Sequence, residues 1–322
     1  MTRILTRADL ETLLTPEDCL ASVEDAFRGY GEGRSAAPKS VGLHAAAGTF
    51  HIKAAMADVF AVKVNANFPG NPRLHSLPTI QGVIVVMDVE RGVPLAILDS
   101  ALITTLRTAA ATALAAKHLA REDASTITIA GCGTQGRASL EAVRRVRPVR
   151  TAYAYDADRD AAGRFATELR ARLEIDVQAV ATLDDAIASS DIVVTCTTAR
   201  AAILDARHLH PGLFIAAVGA DNPEKQELTP ALLRESTIVV DILEQAATMG
   251  DLHHALAAGA LTRDDVRGEL ADVLCGRVAG RRSEEEVFVF DSTGTALQDV
   301  AVASLACARA AERGTGLEIA FA

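Results

Sequence analysis

Three glycines spaced as Gly131-x-Gly133-x-x-Gly136 follow directly on a β-branched run, Thr126–Ala130. A helical stretch, Arg137–Val146, comes next, and a second strand-like run, Thr151–Tyr155, ends at Asp156, twenty residues after Gly136. Strand, glycine turn, helix, strand and acid in this order form the fingerprint of a dinucleotide site. Gly131 permits the tight turn, Gly133 lets backbone approach a pyrophosphate, and Gly136 lets helix and sheet pack closely. The helix N-terminus, with Thr134 and Gln135 in its first turn, offers unpaired N–H groups to phosphate. Asp156 can accept from a ribose 2′-hydroxyl and would repel a 2′-phosphate, so NAD (NADH) is expected and NADP less so.

A second set of residues is cationic. Between Lys39 and Leu77 the only acid is Asp58, whereas Lys39, Lys53, Lys63 and Arg73 are basic. Lys53 and Lys63 each sit in apolar strand-like sequence, and Arg107 opens an Ala-rich helix at Leu106-Arg107-Thr108-Ala109. Such residues are seldom buried without partners. They fit either an anion pocket for a small carboxylate or solvated faces with one structural ion pair. Two strand ends add polar groups. Thr195 and Cys196-Thr197-Thr198 close the run Ile192–Thr195, where they would line a cofactor or cap a turn. Val218-Gly219-Ala220-Asp221-Asn222-Pro223 closes Phe214–Val218, and on residues alone Asp221 reads first as an Asx turn.

The elements that must position these groups change character along the chain. An amphipathic helix, Pro16–Gly31, precedes strand candidates Phe50–Ala54, Phe60–Val64, Thr79–Asp88 and Pro94–Leu98 and a long helix, about Thr104–Ala120. From Thr126 apolar strands alternate with helices: Thr126–Ala130, Thr151–Tyr155, Val177–Val180, Ile192–Thr195, Phe214–Val218, Ile238–Asp241 and Val287–Phe290. That rhythm predicts an α/β fold, a Rossmann doubly wound parallel sheet, beside a second α+β domain. The expected division is 1–119 with 298–322 for substrate and dimerisation, and 120–297 for NAD binding. The 322 residues are 49% apolar with no Trp, so aliphatic side chains carry the packing. A net charge of −10 argues against nucleic acid or an anionic membrane as partner. No apolar run nears the roughly 20 residues that span a bilayer, and no signal-peptide pattern opens the chain. The five scattered cysteines read as reduced, in a cytoplasmic protein, and no residues have metal-ligand spacing.

At Ala37-Pro38-Lys39, Ala61-Val62-Lys63-Val64-Asn65, Leu106-Arg107-Thr108-Ala109-Ala110, Gly131-Cys132-Gly133-Thr134-Gln135, Ala217-Val218-Gly219-Ala220-Asp221 and Phe290-Asp291-Ser292-Thr293-Gly294 the sequence resembles the ornithine cyclodeaminase/μ-crystallin family. It is most similar to the archaeal-type alanine dehydrogenase branch. The resemblance implies a Rossmann domain inserted into a domain that forms a homodimer. It implies Lys63 as proton donor or acceptor, Asp221 as activator of water or amine, and Lys39, Lys53 and Arg107 around the substrate carboxylate. Cofactor contacts are implied at Thr108, Gly131, Gly133, Thr134, Gln135, Gly136, Asp156, Thr195, Thr197, Val218, Gly219 and Ser292. Cyclodeaminases hold a distal ammonium with an acid before the catalytic lysine, and Gly48–Ala57 has none. A diamino acid would place its second cation among lysines, at about 1–4 kcal/mol per close like pair. The expected activity is an NAD(H)-dependent L-amino-acid dehydrogenase or ketimine reductase acting on a small 2-oxo, 2-imino or 2-amino acid. The alternatives are a cyclodeaminase-type lyase with recycled NAD and a non-catalytic μ-crystallin-like binding protein.

Overall fold

The computed structural model describes residues 1–320 and contains two compact units, Met1–Arg107 together with the chain from Thr295, and Thr108–Gly294. The boundary at 107/108 falls inside one helix, Ser100–Leu119.

The first unit opens with β1 (Thr2–Leu5), β2 (Lys39–Ala45), β3 (Gly48–Met56), β4 (Val59–Asn67), β5 (Ile80–Asp88) and β6 (Pro94–Asp99). The second unit carries β7 (Thr126–Ala130), β8 (Thr151–Tyr155), β9 (Asp176–Ala179), β10 (Ile192–Thr195), β11 (Phe214–Ala217), β12 (Thr237–Val240), β13 (Val266–Glu269) and β14 (Phe288–Asp291). The chain then returns to the first unit with β15 (Leu317–Ile319).

In the first unit a seven-stranded sheet runs β15-β1-β6-β5-β4-β3-β2. From β2 to β6 it is an antiparallel meander, which allows one face to be buried while the other meets water. The buried face carries Ala55, Ala61, Lys63, Ile84, Val86, Ala96 and Leu98. The helix Ala296–Arg313 lies against β3, β4, β5 and β6 and against the helix Pro16–Gly31. Small side chains are buried on both elements, Ala55, Ala61 and Ala96 on the sheet and Ala303, Ala306 and Ala310 on the helix, which lets the two pack closely. Thr295 caps the helix by accepting from the Leu297 N–H, and Gly314 at φ 64° ends it in the left-handed region. Fixing the start of this helix fixes Gln298 and Asp299, one turn inside it.

The opposite face is apolar and open. Val41, Ile52, Val64 and Val83 form one cross-strand row, and Leu43 pairs with Phe50 beside it. Val41 is 54% and Leu43 55% exposed.

In the second unit eight parallel strands run β13-β12-β14-β11-β10-β7-β8-β9. Their cores, such as Ile192–Val194 and Phe214–Ala217, are buried throughout, as parallel strands covered on both faces require. From β7 the chain runs outwards to β8 and β9, then back across β7 to β10, so the order reverses between β7 and β10. That reversal leaves a crevice beyond the carboxyl ends of the two strands.

The Rossmann strands fall within a residue or so of the expected runs, and the first helix begins at Thr134 rather than Arg137 because Gly133 is its N-cap. Four strands lie outside the sequence reading: β1, β2, β13 and β15. Three are short, and β2 is exposed along nearly its whole length, so no buried alternation marks it. Among the described residues no helix is long and apolar enough to cross a membrane.

Candidate active site

Lys53 on β3 and Lys63 on β4 are direct cross-strand partners on the buried face, 6% and 3% exposed. Like charges opposite one another are destabilising, so the pair demands an anion. Asp299 on the helix Ala296–Arg313 supplies it. Its carboxylate lies 2.7 Å (Oδ2) and 2.8 Å (Oδ1) from Lys63 Nζ and accepts from Arg107 Nε at 3.0 Å. Thr104 Oγ1 stands 3.4 Å from the same Nζ. Arg107 Nη1 donates to Gln298 Oε1 at 2.6 Å, and Nη2 makes no hydrogen bond within the described residues.

Burial and the neighbouring Arg107 push the Lys63 ammonium down to about 7, against the upward pull of Asp299. Burial works on Asp299 in the upward direction, yet Arg107 and Lys63 outweigh it and hold its carboxyl below the ordinary value. The result is an amine that exchanges a proton near neutrality beside a guanidinium with an unused edge. Lys39 is not gathered into this cluster. It pairs with Ala54, one residue out of step with Lys53, which sends it to the other face of the strands, and it is exposed.

The second unit presents the glycine turn. Gly131 adopts φ 107°, and a Cβ there would come within 2.7 Å of the Cys196 carbonyl oxygen. A Cβ on Gly136 would stand 2.2 Å from the Gly131 carbonyl oxygen, whereas one on Gly133 would meet nothing within 4 Å. The turn is therefore closed on the protein side and open where a phosphate would arrive. Thr134 is exposed in the first turn of the helix Thr134–Val143, which has no side-chain cap, with Gln135 beside it. Asp156 is held at the end of β8 by accepting from the Cys132 N–H at 2.8 Å and the Asp158 N–H at 2.9 Å. These features fit a dinucleotide with a free ribose 2′-hydroxyl.

Other expected cofactor contacts prove to be tied to buried acids. Glu227, completely buried, accepts from Thr195 Oγ1 (2.7 Å), Thr197 N (2.6 Å), Thr197 Oγ1 (2.7 Å) and Gly219 N (2.9 Å). A Cβ on Gly219 would fall 2.4 Å from Glu227 Oε1, so the glycine is needed by the acid. The hydroxyl of Thr195 is thus engaged inside the protein, and Thr195 is fully buried. Asp251 in turn accepts from the Glu227 and Leu228 N–H groups, and Asp291 accepts from the Leu252 N–H. Ser292 Oγ donates to Asp241 at 3.1 Å. Val218 is half-buried between these anchored points, and Thr108 is half-buried with its carbonyl accepting from Thr112.

Asp221 does not make the Asx turn. Asn222 does, accepting from the Glu224 N–H, and Asp221 pairs with Lys225 at 2.7 Å. Sequence reasoning missed Asp299, Gln298, Lys225 and the acids Glu227, Asp251 and Asp241. Asp299 carried the same signal as Lys63 and Arg107, a charge in apolar, Ala- and Val-rich sequence.

The profile of the ornithine cyclodeaminase/mu-crystallin family matches residues 1–314. The chain belongs to the ornithine cyclodeaminase/mu-crystallin family. Alanine dehydrogenase of Archaeoglobus fulgidus is 37% identical over 99% of this chain and 98% of its own length. Among solved structures, an archaeal alanine dehydrogenase dimer with bound NAD superposes with a TM-score of 0.96, at 37% identity over 100% of this chain and 99% of that one. The Thermococcus litoralis Δ1-pyrroline-2-carboxylate reductase, solved with NADH and L-proline, gives 0.94 at 31% identity, over 99% and 100%.

The buried acids make a stability prediction. Burial and the adjacent Glu227 raise the Asp251 carboxyl to about 7. A carboxyl raised on folding binds its proton more tightly in the native state, so its stabilisation is complete below about pH 4 and is lost as pH rises through 7. Asp251→Asn removes that loss. Calorimetry should show a higher midpoint than wild type at pH 8 and a flatter dependence between pH 6 and 8. Equal midpoints at pH 8 would mean that Asp251 carries no strained charge.

Proposed function

We propose that the protein is an NAD(H)-dependent dehydrogenase or ketimine reductase that interconverts a small 2-imino or 2-oxo acid and the corresponding L-amino acid. The observation that carries this reading is the buried Lys63–Asp299–Arg107 cluster, which offers a near-neutral proton carrier beside a carboxylate grip. Family membership and likeness to alanine dehydrogenase and pyrroline-2-carboxylate reductase support it.

The nicotinamide supplies or removes hydride at the substrate α-carbon. Arg107 presents Nη2 and the free hydrogen of Nη1 to the substrate carboxylate, with Lys53 adding positive charge. In the reducing direction the Lys63 ammonium gives its proton to the imine nitrogen as the α-carbon gains hydride, leaving a neutral lysine amine. In the oxidising direction the neutral amine takes the proton from the substrate nitrogen. Asp221, with Lys225 as counter-ion, orients the water or ammonia that exchanges oxo and imino acids. Gly131, Gly133, Gly136, Thr134, Gln135 and Asp156 hold the dinucleotide. The absence of an acid on β3 works against an ornithine or lysine substrate.

The chain is also proposed to form a homodimer in solution through the open face of the first unit. Val41, Leu43, Phe50 and Val83 are exposed on this one sheet face, more than single scattered apolar residues, and the archaeal relative was solved as a dimer.

Three measurements test this reading. NADH consumption with pyruvate or other 2-oxo acids plus ammonia or methylamine, and with pyrroline-2-carboxylate, should reveal one productive class. Silence on every member, with ornithine and NAD giving proline and ammonia, would replace it by a cyclodeaminase. Lys63→Met should lower kcat/KM by about 10²–10⁴-fold while NADH still binds; undiminished turnover would remove the proton role. NADPH should serve worse than NADH, and Asp156→Ser should narrow the gap. For assembly, Val41→Glu with Leu43→Glu should sediment as a monomer where the parent sediments as a dimer.

A further inference from the structure

We propose that Asp299 is a positioning residue of the reaction, a single buried carboxylate that holds the proton-carrying amine of Lys63 and the guanidinium of Arg107 in one arrangement. This rests on the dehydrogenase/reductase reading above.

Asp299 is 1% exposed, and both of its oxygens face cations rather than water. Its Oδ1 is shared, accepting from Lys63 Nζ at 2.8 Å and from Arg107 Nε at 3.0 Å. Moving either cation therefore breaks a bond to the same atom. The carboxylate cannot itself bind a carboxylate substrate, because the two would repel. Its effect is on where the cations sit and how tightly Lys63 keeps its proton. Gln298, its neighbour in the helix, takes Nη1 of Arg107, so two consecutive residues clamp the guanidinium from one side and leave its Nη2 corner for the substrate.

The groups facing Lys63 are Asp299 from the helix Ala296–Arg313, Thr104 and Arg107 from the helix Ser100–Leu119, Lys53 from β3 and apolar Ile84 from β5. Of these Asp299 alone is an anion. Burial, Arg107 and Lys53 all drive the Lys63 proton off, and Asp299 is the one neighbour that retains it. A purely structural counter-ion would affect stability and, at most, the Lys63 midpoint through its charge, whereas a positioning residue also moves KM for the substrate acid through Arg107.

The test uses Asp299→Asn and Asp299→Glu in the full chain. Lys63 is titrated without reference to turnover, by trace acetylation with acetic anhydride across pH, read by mass spectrometry. Asp299→Asn should lower the midpoint of Lys63 reactivity by about one to three pH units, the size of effect that a close opposite charge exerts. The Lys63-dependent limb of kcat/KM should move the same way, KM for the substrate acid should rise as Arg107 loses its tether, and Asp299→Glu should return the limb part-way. A variant that melts earlier but keeps the wild-type labelling midpoint and pH limb overturns the proposal and leaves Asp299 a structural counter-ion. If Asp299→Asn does not fold, Asp299→Glu reads the same coupling: its longer arm displaces the carboxylate from Lys63 Nζ, the labelling midpoint departs from that of the wild type, and an unmoved midpoint overturns the proposal. A wild-type protein inactive on every 2-oxo and 2-imino acid defeats the functional reading, while the labelling result still decides whether Asp299 governs Lys63.

Discussion

Burying Lys53, Lys63 and Arg107 against one sheet face is tolerable only with an anion among them, and that anion comes from the far end of the sequence. Asp299 lies 236 residues from Lys63 and 192 from Arg107. The antiparallel meander sets the two lysines side by side, the alanine-rich contact lets the C-terminal helix approach, and the Thr295 cap fixes the turn from which Gln298 and Asp299 project. Much of the first unit can be read as the apparatus that brings one carboxylate to one amine. Asp299 is shared between Lys63 and Arg107, and of the two the group that can shed its positive charge is Lys63, because an arginine keeps its proton.

The second unit is organised by the opposite shortage. Glu227, Asp251 and Asp291 are buried in a chain of backbone and side-chain hydrogen bonds that, among the described residues, contains no lysine or arginine. Burial raises all three carboxyls. Glu227 is the most fully hydrogen-bonded of them, knotting the ends of β10 and β11 through Thr195, Thr197 and Gly219. A carboxylate suits that role better than an amide, because it accepts at both oxygens while all four partners are donors. The acids thus determine the backbone path at two strand ends, and the strain of their burial is the cost of fixing it.

What could be read in advance divides along physical lines. The parallel strands were legible because burial on both faces leaves short continuous apolar runs, and the glycine turn because each glycine answers a separate steric demand. Lys63, Lys53 and Arg107 were legible as charges in apolar surroundings. Lys39 stood among them in sequence but lies on the alternate face, since a one-residue offset in a strand reverses a side chain. Asp299 escaped because a helix has both wet and dry faces, so an acid in one is ordinarily taken for a solvent contact. Glu227 escaped for a related reason: Glu224-Lys225-Gln226-Glu227 has the composition of a surface loop, yet Glu227 is completely buried. Periodicity reports which face an element buries. It does not report which distant element brings the partner.

The two units meet the problem of buried charge in opposite ways with the same outcome on the pH scale. In one, burial and a neighbouring arginine push an amine down to about 7. In the other, burial and a neighbouring acid push a carboxyl up to about 7. The consequences differ because the groups differ in access to chemistry. Lys63 stands beside an arginine with free donors, so on the proposed reading its titration bears on a bound substrate. Asp251 spends one oxygen on two backbone N–H groups and has no partner at the other, so its titration bears on the fold. A perturbed group is therefore not by itself a sign of catalysis. What separates the two is whether a neighbouring side chain holds unused donors that a substrate could take, and Arg107 provides them beside Lys63.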